Sequence, residues 1–205
     1  EYMTTNHATS LKNVDLSAAA SVGEYAFAMC AELENVKLGE AITEIPQYAF
    51  ASCEKLAAIN LEKIQSFGEY AFMETGALTS VDLSAATKLG KYAFVNGAVL
   101  TSVKLNPEGT DMDEGAFAYC TALNQVENLN AAKNIGDYAF AYNTLTEVDL
   151  TAAETVGKHA FMKEQQAELK VTLGEALKSL GDNPFALCTV EPFCKTETVE
   201  FNGVS

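Results

Sequence analysis

The dipeptide Ala-Phe recurs along the chain at an almost constant interval, and this repeat restricts the possible folds more than any other feature. It occupies residues 26–27, 49–50, 71–72, 93–94, 116–117, 139–140 and 160–161, and Pro184-Phe185 continues the series. Successive Phe residues are 21 to 24 positions apart. A repeat of this length cannot bury its apolar residues alone, so it is typical of proteins whose units stack into a solenoid.

A second block, Leu-x-x-Val-x-Leu, precedes the Ala-Phe pair and predicts one short strand per unit. Its clearest copies are residues 11–16, 33–38, 78–83, 100–105 and 145–150. Less regular copies lie at 56–61, at 123–129 with one extra residue, and at 168–173 without the first Leu. The last two apolar positions of the block are two residues apart, which is the period of a strand with one buried face.

An apolar residue also stands five positions before each repeat Phe, and we interpret the segment between them as a helical or 3-10 turn. One strand and one short turn per unit predict an α/β repeat fold. Eight units fill residues 11–188, after a degraded or truncated repeat at 1–10 and before a C-terminal cap at 189–205. We expect the eight repeat Phe rings to form one buried row: Phe27, Phe50, Phe72, Phe94, Phe117, Phe140, Phe161 and Phe185.

The repeated unit I-G-x-Y-A-F-x-x-C-x-x-L-x-x-V-x-L closely resembles the BspA-like class of leucine-rich repeats. VGEYAFAMCAELENVKL (22–38) and IGDYAFAYNTLTEVDL (135–150) match it best. The resemblance implies a right-handed leucine-rich-repeat solenoid, with a parallel strand row on the concave side and short turns on the other. It also implies a non-catalytic binding module of a cell-surface or secreted protein, adhering to host extracellular-matrix proteins or to other cells. A structural stalk or an intracellular scaffold without a dedicated ligand remains the alternative.

The charge balance argues against several kinds of partner. The chain has 13 Lys plus Arg, all of them Lys, against 28 Asp plus Glu, and its formal net charge is −15. We therefore expect no nucleic-acid partner, because phosphate contacts need a basic patch. We also expect no direct membrane insertion, because no apolar run approaches the ~20 residues of a membrane helix. The partner class that we expect is a protein or a peptide.

No residue pattern predicts catalysis, a metal site or a cofactor. The chain has two histidines, and His159 takes a position that most other units give to Tyr. The densest acidic cluster, at 108–114, could supply calcium ligands, but a solvated loop is the interpretation we favour. We expect free thiols at four cysteines that each follow the repeat Phe by three positions: Cys30, Cys53, Cys120 and Cys188. The pair Cys188 and Cys194 is the one plausible disulfide.

The outward residue between the Val and the last Leu of each strand supplies the candidate contact surface. This row consists of Asp15, Lys37, Asn60, Asp82, Lys104, Asp149 and Thr172, together with Glu127 or its neighbour Asn128. Because acids and Lys alternate along it, the row has little net charge. The same alternation reduces repulsion between neighbouring strands, which is a structural reason for these residues. The recurrent Tyr before Ala-Phe is open to two interpretations, a platform for sugars or a cover over the seam between units.

Overall fold

A computed structural model describes residues 10–194 as a stack of coils that contributes short strands to two rows. The first row contains β1 (Asn13–Leu16), β2 (Asn35–Leu38), β4 (Ala58–Ile59), β6 (Ser80–Asp82), β8 (Ser102–Lys104), β10 (Gln125–Glu127), β12 (Glu147–Leu150), β14 (Ala167–Leu173) and β16 (Cys188–Cys194). The second row contains β3 (Glu44–Ile45), β5 (Ser66–Phe67), β7 (Lys88–Leu89), β9 (Asp111–Met112), β11 (Asn134–Ile135), β13 (Thr155–Val156) and β15 (Ser179–Leu180).

Where strands of neighbouring coils pair, they pair in parallel. The second row forms one seven-stranded sheet, whereas the first row is divided into three sheets of three strands. Its ladder stops between β4 and β6 and again between β10 and β12. The prediction of a solenoid with a row of parallel strands from the Leu-x-x-Val-x-Leu blocks is therefore confirmed.

The second row corrects the predicted turn. Residues such as Ile45 and Leu89, which precede a repeat Phe by five positions, lie in two-residue strands and not in helical turns. Within residues 10–194 the single helix is a 3-10 helix of three residues, Leu129–Ala131. The helical part of the predicted α/β class is thus not found in the described residues, which are built almost entirely from strands and turns.

The turn after each second-row strand has an alternating backbone that explains why it is not helical. The N–H groups of Tyr25, Phe27 and Met29 donate to carbonyl oxygens of the next coil at 3.2, 2.8 and 2.7 Å. The N–H groups between them, such as that of Ala28, donate within the coil to the residue three positions back. A helix would need every N–H to bond within its own segment, so donation to the next coil excludes it.

This alternation places the residue two positions before each repeat Phe in the left-handed region of φ. The values run from 46° to 63° at Tyr25, Tyr48, Tyr70, Tyr92, Gly115, Tyr138, His159 and Asn183. The residue two positions after the Phe is also left-handed in every coil except the one containing Lys163. No β-branched residue occupies either position, as expected where φ is positive.

The predicted row of Phe rings is present. Consecutive rings stack with centroids 5.1 to 5.8 Å apart along the whole series from Phe27 to Phe185. Six of the eight are at most 1% exposed, while Phe27 and Phe185 at the two ends are half-buried. Leu and Val side chains of the first row close the core from the opposite side.

The two predicted end segments fall largely outside the described residues. Of the segment 1–10, only residue 10 is described. In the segment 189–205, β16 pairs with β14 along its full length and extends the first row, and residues 195–205 are outside the described range. No helix between residues 10 and 194 is long and apolar enough to cross a membrane.

Candidate interaction surface

Within each first-row sheet, the strand register places the predicted outward residues of paired strands opposite one another. Asp15 lies opposite Lys37, Asp82 opposite Lys104, Lys104 opposite Glu127, and Asp149 opposite Thr172. Of the two candidates Glu127 and Asn128, the register therefore places Glu127 in this row. We call these eight residues the contact row: Asp15, Lys37, Asn60, Asp82, Lys104, Glu127, Asp149 and Thr172. Six of them are exposed and two are half-buried, and four carboxylates against two Lys give the row a formal charge of −2.

The aspartates of the contact row also hold the corner that follows each strand. The carboxylate Oδ1 of Asp15 accepts the N–H of Ser17 at 2.8 Å, and Asp82 and Asp149 accept the N–H two residues further on at 3.0 Å each. Sequence reasoning had not assigned this role, although the order Asp-Leu-Ser or Asp-Leu-Thr is a signal for such a turn. These carboxylates therefore serve the fold as well as the surface.

Ion pairs link neighbours in the contact row. Lys104 Nζ lies 3.2 Å from a carboxylate oxygen of Asp82, and Lys37 Nζ lies 3.9 Å from one of Asp15. The hydrogen bonds from Ser17 lower the pKa of Asp15, with a smaller contribution from Lys37. Burial acts to raise the pKa of Asp82, but hydrogen bonds from Ser84 and the charge of Lys104 outweigh it, so that this pKa is lowered. The alternating charges of the contact row therefore form ion pairs between neighbouring coils, which is a structural reason for these residues.

Two asparagines stand where the first-row ladder stops. The side chain of Asn60 accepts the N–H of Leu38 at 2.7 Å and donates to its carbonyl at 3.3 Å. Asn128, with a left-handed φ of 63°, donates to the carbonyl of Leu105 at 2.8 Å. In both coils a side-chain amide takes over main-chain pairing, and the next strand is not hydrogen-bonded to the ladder.

Open grooves lie over both of these breaks. The first, of about 850 Å³, extends from β1 across β2 and β4 to Ser80 of β6. The second, of about 340 Å³, lies between β10 and β12 beside Glu147 and Asp149. The first-row surface is therefore an extended face with two depressions, a form that suits a macromolecular partner better than an enclosed small molecule.

The recurrent Tyr residues form a ladder on the turn side. The rings of Tyr25, Tyr48, Tyr70 and Tyr92 stack with centroids 4.8, 4.9 and 5.2 Å apart. Because each inner ring has both faces covered by its neighbours, the inner rings offer edges and hydroxyl groups and lack the free faces on which sugars stack. This geometry supports the interpretation that the Tyr residues cover the seam between coils.

The Tyr ladder ends at Gly115, which occupies the Tyr position of the fifth coil. The ring of Tyr92 lies against this glycine, so that a Cβ at residue 115 would be 2.2 Å from its Cε1 atom. The hydroxyl of Tyr92 donates to the carboxylate of Glu114 at 2.5 Å. This hydrogen bond, together with burial, raises the pKa of Tyr92. The irregular residues Glu114 and Gly115 therefore fit Tyr92 of the preceding coil: the glycine leaves room for the ring, and the glutamate accepts the hydroxyl.

The repeated cysteines have a structural explanation. The thiols of Cys53, Cys120 and Cys188 donate to the carbonyl of the repeat Phe in the preceding coil at 3.1 to 3.3 Å. Burial raises the pKa of Cys53 and of Cys120 to about 12. Cys188 is a free thiol. It begins the strand that Cys194 ends, and six residues of extended chain span ~20 Å, which excludes a disulfide between them.

Lys163 is a buried charge that sequence reasoning had missed. It follows the repeat Phe161 by two positions, where Met29 and Tyr119 of other coils are exposed, yet it is only 5% exposed. The Nζ atom donates to Leu145 O at 2.7 Å and to two oxygens of Asn143 at 3.1 Å. Burial lowers its pKa. Because its donors are satisfied by these acceptors, we assign it to packing.

His159 and the acidic cluster at 108–114 have contacts that point to no chemistry. His159 Nδ1 lies 3.1 Å from Asn183 O, and its ring packs against Tyr138. In the acidic cluster, Asp113 pairs with Lys88 at 3.5 Å and Glu114 with Lys91 at 3.2 Å. Among residues 10–194, no group of three or more His, Cys, Asp or Glu side chains could hold a metal ion.

Parallel strands stacked coil upon coil around a row of Phe rings define a solenoid of the leucine-rich-repeat class. The profile of the BspA type leucine rich repeat region matches residues 5–96 and 87–201, in six copies. The chain belongs to this family. Nothing in the family or in the described geometry points to enzymatic activity, and leucine-rich repeats of this kind are associated with protein interaction.

Solved structures of bacterial proteins share the fold. A leucine-rich repeat protein from Bacteroides ovatus is similar with a TM-score of 0.54 and 18% identity, over 93% of this chain and 68% of that one. A leucine-rich repeat protein from Eubacterium ventriosum is similar with a TM-score of 0.58 and 19% identity, over 83% of this chain and 56% of that one. These identities show the fold alone. No curated protein sequence matches this chain.

Proposed function

We propose that this chain is a non-catalytic module that binds a protein or peptide through the contact row. The observation that carries the proposal is the strand register, which places outward side chains of paired strands opposite one another in three groups: Asp15 with Lys37, Asp82 with Lys104 and Glu127, and Asp149 with Thr172. At ~4.8 Å per coil such a row extends for roughly 34 Å, and its spacing is fixed by the stack. A rigid surface of this length suits an extended partner.

The composition of the row sets the expected strength of binding. The chain contains no Arg and no Trp, the residue types that dominate binding energy at many interfaces. Each coil therefore contributes modestly, and useful affinity comes from many coils or many copies acting together. That property fits adhesion, and the resemblance to BspA-like proteins favours a cell-surface or secreted parent that binds host extracellular-matrix proteins or other cells.

A binding assay with a matched control tests this proposal. The test variant changes five residues of the contact row: Lys37→Ala, Lys104→Ala, Glu127→Ala, Asp82→Asn and Asp149→Asn. Asparagine is used at the two corner positions because it keeps the oxygen that accepts a main-chain N–H. The control removes the same numbers of positive and negative charges from the turns, at positions just before the left-handed Tyr or His residue: Lys91→Ala, Lys158→Ala, Glu24→Ala, Glu69→Ala and Asp137→Asn.

Both variants and the parent chain are passed over immobilised extracellular-matrix proteins and over whole cells, with surface plasmon resonance as the measurement. We expect saturable binding that falls by about tenfold or more in the test variant and stays within twofold in the control. Equal binding by all three proteins would move the site off the contact row. Failure of the parent chain to bind any of these partners would favour the stalk or scaffold alternative.

A further inference from the structure

The groove over the first break in the strand row is lined mainly by small, aliphatic and amide side chains. It is lined by residues of four successive coils, from Asn13 to Ser80. Ala57 and Ala58 are exposed on it, and Val14 and Ile59 are half-buried beneath it. Ala58 lies opposite Asn35 in the ladder, in a position where the other described strands carry polar side chains. Because Ala58 has only a methyl group where the other strands carry longer side chains, the surface is lower at this point.

The rim of this groove offers donors and acceptors without net charge. Asn35 donates to Asn13 at 2.8 Å, which occupies one donor and one acceptor of these two amides and leaves the others available. Asn60 is likewise only half committed, through its bonds to Leu38. The charged side chains of the lining, Asp15 and Lys37, pair with each other at 3.9 Å. The groove is therefore locally neutral in a chain whose formal charge is −15.

A neutral groove with both donors and acceptors over an aliphatic floor matches the chemistry of a polypeptide main chain. Each peptide group brings one donor and one acceptor, and small apolar side chains can lie on the floor. A charged side chain would find no unpaired countercharge in the lining, because Asp15 and Lys37 pair with each other. The lining also contains no aromatic ring, so it lacks the stacking face typical of sugar sites.

The extent of the groove along the stack sets the length of the segment that it can receive. Four coils at ~4.8 Å span roughly 14 Å, which corresponds to about four residues of extended chain.

We propose that this groove binds an extended, uncharged segment of a partner polypeptide, about four residues long, chiefly through its main chain. The inference rests on the proposed function, since it names the kind of segment that part of the contact row receives. It is nevertheless separable from it, because a partner could bind the row elsewhere, for example beside Glu127 and Asp149.

The test uses the full chain and pools of capped octapeptides as probes. One pool contains only Ala, Ser, Thr, Val, Ile, Asn and Gln, a second carries Lys at alternate positions, and a third carries Glu there. A mixture of neutral oligosaccharides is the fourth probe. Binding is followed by NMR through the side-chain amide signals of Asn13, Asn35 and Asn60 and the methyl signal of Ala58.

Two variants locate the site. Ala58→Tyr fills the groove at an exposed position, and Ser102→Tyr places the same ring at the equivalent position two coils away. We expect the uncharged pool to shift the groove signals saturably, Ala58→Tyr to weaken this binding by about tenfold or more, and Ser102→Tyr to leave it within twofold.

Three results would overturn the inference: no binding of the uncharged pool at millimolar concentration, stronger binding of a charged pool or of the oligosaccharides, or equal effects of the two variants. If the matrix-protein assay is positive while any of these results is obtained, the groove inference fails alone. If that assay also fails, the proposed function fails with it.

Discussion

Replacing Phe94 by Ala tests whether the stacked rings hold the coils together. The ring is 1% exposed and is stacked on Phe72 at 5.1 Å and on Phe117 at 5.3 Å. Removing a buried Phe side chain destabilises a protein by about 3–5 kcal/mol. Two lost stacking contacts, at about 0.5–1.5 kcal/mol each, favour the upper end of that range. We therefore expect a loss of about 4–5 kcal/mol.

The same substitution at the end of the stack should be much milder. Phe27 is half-buried and stacks on one neighbour, Phe50, at 5.2 Å. With about half the buried area and one stacking contact, Phe27→Ala should lose about 1–2 kcal/mol. Val99→Ala, at a side chain that is 38% exposed, is the control and should change the free energy of unfolding by less than about 0.5 kcal/mol.

Urea unfolding followed by circular dichroism and by tyrosine fluorescence measures these differences, since the chain has eight Tyr and no Trp. In a stack where each coil contacts only its neighbours, Phe94→Ala should also divide the transition into two steps. If Phe94→Ala were no more damaging than Phe27→Ala, the stacked rings would not be the element that couples the coils, and the reasoning would be wrong.

Three further outcomes are expected. Gly115→Ala should lower the melting temperature, because residue 115 has a φ of 63° and the new Cβ would displace the ring of Tyr92. Spectrophotometric titration of this variant should show the pKa of Tyr92 falling towards its usual value, because the displaced hydroxyl no longer donates to Glu114. Cys53 and Cys120, with pKa values raised to about 12 by burial, should resist iodoacetamide at pH 8 and react only after addition of urea, as measured by intact mass. The pKa of Asp82 is lowered in the folded protein, so the stability that its charge contributes should be complete above the pKa of 3.8 in the unfolded chain and should decline as the pH falls below that value. In Asp82→Asn the melting temperature should therefore fall less steeply between pH 5 and pH 2 than in the parent chain.

The features that follow directly from the repeat period could be predicted from the sequence. The spacing of the Phe residues placed eight rings in one row, and the two-residue spacing of Val and Leu placed the outward side chains on one face. Both follow because a stacked repeat carries each position directly over its equivalent. The assignment of the buried cysteines as free thiols followed from the same logic.

The sequence could not reveal features that depend on contacts between coils. A left-handed Tyr is unfavourable in isolation, and it is adopted here because its N–H can then donate to the next coil. The corner bonds of Asp15 and the position of Asn60 at the end of a ladder likewise depend on main-chain geometry. Lys163 escaped prediction because a charged residue gives no sign that three oxygens will surround it.

The main-chain bonds of the turns have a consequence for how such a chain changes its length. At each boundary from Phe27 to Phe161, three N–H groups meet three carbonyl oxygens of the next coil in the same order. Removing one complete coil would bring equivalent donors and acceptors together again, whereas a deletion of any other size would misalign the Phe rings. Gene duplication or loss of whole units can therefore lengthen or shorten the surface in steps of about 5 Å while the remaining coils keep their bonding.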